Sequence, residues 1–198
     1  MADYRAESSI GARIRAARRE RGFRTTRELA EVLSGTKITE SVLENIESGR
    51  KADLSLSQFL SIAYALRVPP SFLLAPLVRP AASLDLQNIS DDLQGLTVAE
   101  FDAWFSGVAS GGHRPTSAAE RKDREDLEAL RELASVVREI SRLKVVLHIA
   151  SESDVEIPGH DNVTASRIGA LEGRAGELRR LLATSGFVVD SLDEDAEM

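Results

Sequence analysis

The 198-residue sequence contains no cysteine, so it offers neither a disulfide framework nor a thiolate ligand for a metal. Aromatic residues make up only 5% of the chain, which leaves Leu, Ile, Val and Ala to form its cores and favours helices over sheets. No apolar run approaches the roughly 18 residues that a membrane span needs, and the N-terminus lacks a signal-peptide-like stretch. We therefore expect a soluble, cytoplasmic, all-α protein that does not enter a membrane.

Motifs that carry catalysis are missing as well. The histidines His113, His148 and His160 stand apart, and none is at ligand spacing with another. No glycine-rich phosphate loop, nucleophile elbow or H-E-x-x-H zinc motif occurs. The acidic residues fall on amphipathic helices beside cations, which is typical of a solvated face. The sequence therefore predicts no catalytic residue, no bound metal and no cofactor, and it disfavours an enzyme.

Charge is divided unevenly along the chain. The formal net charge is -7, but residues 1–80 carry 13 Lys and Arg against 9 Asp and Glu, a net of +4. Residues 81–198 carry 12 against 23, a net of -11. Because the local field at a contact surface matters more than the total charge, this asymmetry predicts a basic N-terminal part that meets a polyanion and an acidic remainder that does not.

Helical spacing of apolar residues predicts five short helices between residues 8 and 76. The second helix starts at Thr25, the first residue of a T-x-x-E capping box, and the third covers residues 39–47 with Thr39 as its N-cap. Another capping box, at Ser55, starts the fourth helix. The apolar positions of these helices are numerous enough for an independent N-terminal domain.

The first of these helices is rich in arginine. Ile10, Ile14 and Ala17 recur at helical spacing and are expected to face the core. The arginines fill the other sides of the helix, and we expect most of them to form a solvated face. They are Arg13, Arg15, Arg18, Arg19 and Arg21.

The order of these positions resembles that of the phage-repressor (Cro/C1, or XRE) family of helix-turn-helix DNA-binding domains. The resemblance covers about a third of the chain, and it depends on several pieces in the right order rather than on any single one. The pieces are I-G-x-x-I-R-x-x-R-x-x-R-G at 10–22, E-L-A at 28–30, L-x-x-I-E-x-G-R at 43–50, L-x-x-F-L-x-I-A-x-A-L-x-V at 56–68 and F-L-L at 72–74.

The resemblance implies that double-stranded DNA is the partner, with the second helix across the phosphate backbone and the third in the major groove. Asparagine can pair with adenine, and glutamate can accept from the cytosine amino group. The residues expected at base edges are Glu40, Ser41 and Asn45, with Glu44 as a less central neighbour. The residues expected at phosphates are Thr25, Thr26, Arg27, Lys37, Thr39, Arg50 and Lys51.

Two departures from the family pattern affect this surface. The turn between the second and third helices is longer than the family's usual form, so the third helix is expected to enter the groove at a shifted angle. The acidic residues of that helix bring negative charge towards phosphates, and the flanking cations must offset this cost.

The acidic remainder is predicted to have three parts. Residues 77–96 read as a linker with some apolar anchoring, and residues 97–186 as a helical assembly or regulatory region that begins with an aromatic face around Trp104. Residues 187–198 read as an acidic tail, in which 187–189 form either a short strand or an apolar plug that docks on the helices and 190–198 are solvated.

A long helix from residue 117 to 150 carries an apolar stripe of coiled-coil-like spacing. The stripe either pairs with a second copy of the chain or packs on the helix at 165–183. We favour a homodimer; the rival is an intramolecular helical domain that senses a small-molecule effector or binds another protein. The residues predicted for dimerisation are Leu133, Val136, Ile140, Leu143 and Leu147.

The sequence therefore predicts an all-α, sequence-specific DNA-binding transcriptional regulator, a repressor that binds operator DNA as a dimer. Its expected location is the cytoplasm, in association with the nucleoid. The alternative is a protein-interaction module, such as an antitoxin or a prophage accessory factor, whose acidic helical region binds a partner protein.

Overall fold

The computed structural model describes residues 3–51, 53–108, 112–152 and 160–189, without the side chains of residues 151, 152, 160 and 161. Over these ranges the chain has a 3-10 turn, nine α-helices and no strand, so the predicted all-α class is confirmed. None of the helices in these ranges has the length and apolar character needed to cross a membrane. Residues 190–198 of the predicted acidic tail lie outside the described residues.

The chain forms two compact units. The first comprises Met1–Ser106 and Ser110–Arg114, and the second comprises Gly107–Ala109 and Pro115–Met198. The helices of the first unit are α1 (Ile10–Glu20), α2 (Thr26–Val32), α3 (Glu40–Glu47), α4 (Leu56–Ala65), α5 (Pro70–Leu74), α6 (Asp91–Gln94) and α7 (Val98–Ser106). Those of the second unit are α8 (Ala118–Glu152) and α9 (His160–Thr184).

Hydroxyl side chains start the helices where the sequence predicted them. Thr25, Thr39 and Ser55 each accept a hydrogen bond from the backbone N–H three residues later, which satisfies a donor that the first turn leaves free. Gly22 and Gly49 follow the ends of α1 and α3 with φ of 90° and 74°, a conformation that suits glycine.

Helices α1 to α5 share one core. Its fully buried members come from every helix and include Ile14, Leu29, Leu43, Ile62 and Leu73. Helix α1 packs on both α3 and α5, so it forms the centre of this domain.

The segment predicted as a linker packs as part of the first unit. Leucines at positions 77, 84, 86 and 96 cover a small second core formed by Ala75, Val98 and Phe101. The N–H of Val98 donates to the carbonyl of Ala82 at 2.8 Å, and a single antiparallel bridge joins Ser83 to Thr97. Helix α7, predicted to belong to the region 97–186, therefore lies in the first unit, because its buried face is covered by the leucines that precede it.

The second unit is an antiparallel helical hairpin. Asp126 contacts Ser185, Glu132 pairs with Arg174 and Glu139 pairs with Arg167, so positions descend along α9 as they rise along α8. The core between the two helices consists of Ala129, Leu133, Val137, Ile140, Ile168, Ala175, Leu178 and Leu182, with Val189 after α9.

The five residues predicted for dimerisation lie in this hairpin. Leu133 and Ile140 are buried in its core, and Val136, Leu143 and Leu147 pack against that core. One chain therefore covers the stripe by itself, which is the packing on the helix at 165–183 that the sequence left open. Pairing of two chains through these residues stays a prediction.

Gly11 is the position in α1 where a side chain cannot be added. A Cβ atom there would lie 2.2 Å from the carbonyl oxygen of Ile46, which is backbone and cannot rotate away. We expect Gly11→Ala to lower the free energy of unfolding of the first unit by about 3 kcal/mol, because α1 and α3 must separate. Urea unfolding followed by circular dichroism measures this change.

Gly95→Ala is the matched control in the same unit. A Cβ atom at Gly95 would make only ordinary contacts, the nearest at 3.5 Å, so its cost is expected to stay below about 1 kcal/mol. Equal stability of the two variants would contradict the close approach of α1 and α3.

Candidate nucleic-acid interface

Helices α2 and α3 pack against each other, and the turn between them is fixed at several points. Leu33 and Ile38 bury their side chains in the domain core at the two ends of the turn. Between them, the Thr36 hydroxyl donates to the carbonyl of Leu33 and accepts from the N–H of Ile38. Gly35 supplies a residue with positive φ, at 91°. The long turn is thus an ordered connection that sets the position of α3.

Helix α3 has one buried and one exposed side. Leu43 and Ile46 are buried in the core. The four residues predicted to reach base edges lie away from that core: Glu40, Ser41 and Glu44 are exposed and Asn45 is half-buried. Their spacing of one, three and four residues places them together on one face of the helix.

Several of the residues predicted to contact phosphates already have partners within the domain. Thr25 and Thr39 are N-caps, and Thr26 is the half-buried first residue of α2. Lys37 is exposed. Among the other cations, Arg27 pairs with Glu31 at 3.1 Å, Arg50 donates to the Ser48 hydroxyl at 3.1 Å, and Lys51 donates to the Gln58 side chain at 2.8 Å.

An arginine of α1 balances the negative charge of one glutamate on α3. Arg18 donates to both carboxylate oxygens of Glu47, at 2.6 and 2.7 Å, and to the carbonyl of Phe23 at 2.8 Å. The side chains of Arg18 and Glu47 are only 4% and 6% exposed. The hydrogen bond to Glu47 raises the pKa of the Arg18 guanidinium above its ordinary value. The charge of Glu47 is therefore balanced by Arg18 inside the domain, which leaves Glu40 and Glu44 as the exposed acids of α3.

A second arginine of α1 is also buried and connects three segments of the domain. The fully buried Arg13 donates to the backbone carbonyls of Glu7, Leu73 and Leu74. Its two terminal nitrogens also donate to the two carboxylate oxygens of Asp85, at 2.7 and 2.8 Å. One side chain thus joins the N-terminal segment, the end of α5 and the segment that follows α5.

The expectation that most arginines of α1 form a solvated face is confirmed for three of the five, and these contacts show the two exceptions. Arg15, Arg19 and Arg21 are exposed, but Arg13 and Arg18 are buried. The signal was present in the spacing, since positions 10, 13, 14, 17 and 18 form a single helical stripe. Arginine can enter such a stripe when carboxylates and carbonyls receive all of its donors.

Within the described residues, no group of three His, Asp or Glu side chains is placed to hold a metal ion. Comparison with protein-family models, with curated proteins and with solved structures gave no match.

Replacement of Glu47 tests whether the buried pair fixes α3. Glu47→Gln leaves the Arg18 cation buried without its counter-ion, so we expect a loss of about 3 kcal/mol in the free energy of unfolding. Chemical denaturation of the first unit measures it.

Glu31→Gln is the control for this change, because it removes the carboxylate of an exposed ion pair on the neighbouring helix. Its expected cost is below about 1 kcal/mol. Similar costs for both variants would show that the Arg18–Glu47 pair has no special role in stability.

Proposed function

We propose that this chain is a sequence-specific DNA-binding transcriptional regulator that places α3 in the major groove of double-stranded DNA. The observation that carries the proposal is the two-sided character of α3, whose apolar side is buried in the core while Glu40, Ser41, Glu44 and Asn45 share the other side. A helix fixed in this way can present a constant set of polar groups to base edges.

The electrostatics of the surrounding surface support the same proposal. The buried Arg18 removes the charge of Glu47 from the exposed surface of α3. We expect the cations Arg27 on α2, Lys37 before α3, and Arg50 and Lys51 after α3 to neutralise phosphates and fix the position of the helix. Glu40 and Glu44 then add specificity, because a carboxylate near a base edge favours cytosine and disfavours bases without an amino group to donate.

The proposal includes repression and a dimer of the XRE type. One helix-turn-helix module contacts few base pairs, and two modules related by symmetry double the contacts with a palindromic operator. Occupation of an operator that overlaps a promoter would then block transcription. This activity would take place in the cytoplasm at the nucleoid.

The alternative function is a protein-interaction module, such as an antitoxin or a prophage accessory factor. It is favoured by exposed apolar side chains near one end of the α8–α9 hairpin: Val145, Val146, Ile149 and Val163. An apolar protein interface at this end would be nearly insensitive to salt, whereas DNA binding would not.

Salt dependence therefore separates the two functions. Duplexes selected from genomic fragments by the full chain would be titrated by fluorescence anisotropy at several salt concentrations. If each of the four flanking cations neutralises one phosphate, the slope of log K against log salt is expected to be about -4 per bound protomer. A slope near zero, or no selection of any duplex over scrambled competitor, would reject DNA reading.

Asn45→Ala tests the reading of bases. The half-buried Asn45 is expected to distinguish adenine, so its loss should reduce affinity for the selected site by about tenfold and leave binding to scrambled DNA unchanged. Arg50→Ala is the control, since loss of a phosphate contact should weaken binding to both duplexes alike. An equal loss on both duplexes for Asn45→Ala would contradict its role at a base edge.

A further inference from the structure

Helix α4 presents an apolar surface that the rest of the described chain does not cover. Leu56, Leu60 and Tyr64 are spaced four residues apart, so they lie on one side of the helix, and all three are exposed. Tyr64 is 88% exposed and presents on the order of 200 Å² by itself. Val32, at the end of α2, is also exposed and borders the same groove as Tyr64. We call Val32, Leu56, Leu60, Tyr64 and the adjacent Arg67 the α4 face.

The shape of the α4 face combines a projection with two hollows. A groove of about 930 Å³ is lined by Leu60, Tyr64 and the segment 67–70 that joins α4 to α5. A smaller groove of about 380 Å³ is lined by Tyr64 together with residues at the end of α2, including Val32. Tyr64 therefore lines both grooves, and its exposed ring forms a ridge beside them.

Arg67 occupies a backbone conformation in which glycine would be less strained. Its φ is 52°, and it follows α4 in a Schellman arrangement, in which the N–H of Val68 donates to Ala63 and the N–H of Arg67 donates to Tyr64. A side chain at such a position costs about 1 kcal/mol relative to glycine. The arginine lines both grooves beside Tyr64, so the strained position places a cation on the α4 face.

We propose that the α4 face binds the α4 face of a second copy of this chain. A two-fold interface requires one surface that carries both the projecting group and the hollow that receives it, and the α4 face has both. Tyr64 of each copy would enter the larger groove of the other, and Arg67 would lie over the partner tyrosine ring in a cation–π contact.

Charge also favours a second copy over a charged partner. Residues Leu56–Ala65 contain no charged side chain, although 29% of the whole chain is charged. The α4 face is apolar apart from Arg67, so a highly charged partner would lose hydration with a single cation to receive it, whereas a second copy offers the same apolar surface and an aromatic ring for that cation. The exposed apolar patch has the few-hundred-Å² size that marks interaction sites, below the about 800 Å² per partner of a standard interface. An interface of this size belongs to the weak, transient class.

The proposal is independent of DNA binding and of the α8 stripe. None of its residues belongs to the set predicted to contact DNA. Val32 and Thr26 lie at opposite ends of α2, which the helical rise separates by about 9 Å. Self-association is measured without DNA, so it tests the α4 face alone. A chain that dimerises but selects no duplex would contradict the proposed function and would still support this inference.

Sedimentation equilibrium of the full chain tests the proposal over a range from about 1 to about 300 μM, which covers the weak association expected of a small interface. The weight-average mass is expected to rise from 21.5 kDa towards twice that value. The double variant Leu60→Ser, Tyr64→Ser should raise the dissociation constant at least about tenfold, because both side chains are central to the interface. The matched control is the double variant Leu181→Ser, Val188→Ser in the second unit. Leu181 and Val188 are 48% and 87% exposed, close to the 45% of Leu60 and the 88% of Tyr64.

Arg67→Gly removes the cation and relieves the backbone, so a misfolded domain cannot explain its effect. Its thermal midpoint is expected to stay equal or rise, while self-association weakens by about fivefold or more. A chain that stays monomeric over the whole range would overturn the proposal. The proposal would also be overturned if the control double variant weakened the dimer as much as the Leu60→Ser, Tyr64→Ser variant does. The same holds if the Leu60→Ser, Tyr64→Ser variant left the dimer unchanged.

Discussion

The close contact between α1 and α3 is the constraint on which the candidate interface depends. The backbones meet at Gly11, where the carbonyl of Ile46 occupies the space that any side chain would need. Seven residues further along α1, Arg18 forms a buried bidentate ion pair with Glu47, the residue next to Ile46. One contact sets how near the helices lie, and the other fixes their alignment. The exposed residues of α3 therefore keep a constant position with respect to the rest of the domain.

Local rules made much of this fold predictable from the sequence. Thr25, Thr39 and Ser55 were identified as helix starts because a hydroxyl that binds a free N–H needs only neighbouring residues. The four residues at the exposed side of α3 follow from the spacing of Leu43 and Ile46, since a helix with a buried side leaves the remaining side to solvent.

Sequence patterns could not predict contacts between residues that are far apart in the chain. Burial of Arg13 depends on Asp85 and on carbonyls about sixty residues away, and no local pattern marks those groups as its acceptors. The leucines after α5 looked like a linker, because their partners Val98 and Phe101 belong to a helix that follows them. Likewise, the spacing of Leu133 and Ile140 is the same for a hairpin within one chain as for two chains, so only the position of α9 distinguishes them.

The bond between Arg13 and Asp85 has a consequence for how this molecule can be divided. A fragment that stops at residue 76, where the helical pattern of the head ends, would keep the guanidinium but lose the carboxylate that balances it. This fragment would carry a buried charge without its counter-ion, so it would be unsuitable as a domain for fusion to another protein. The smallest fragment that keeps this ion pair and its support has to extend beyond Asp85 and include α7, because Val98 and Phe101 of α7 pack against the segment between α5 and α7.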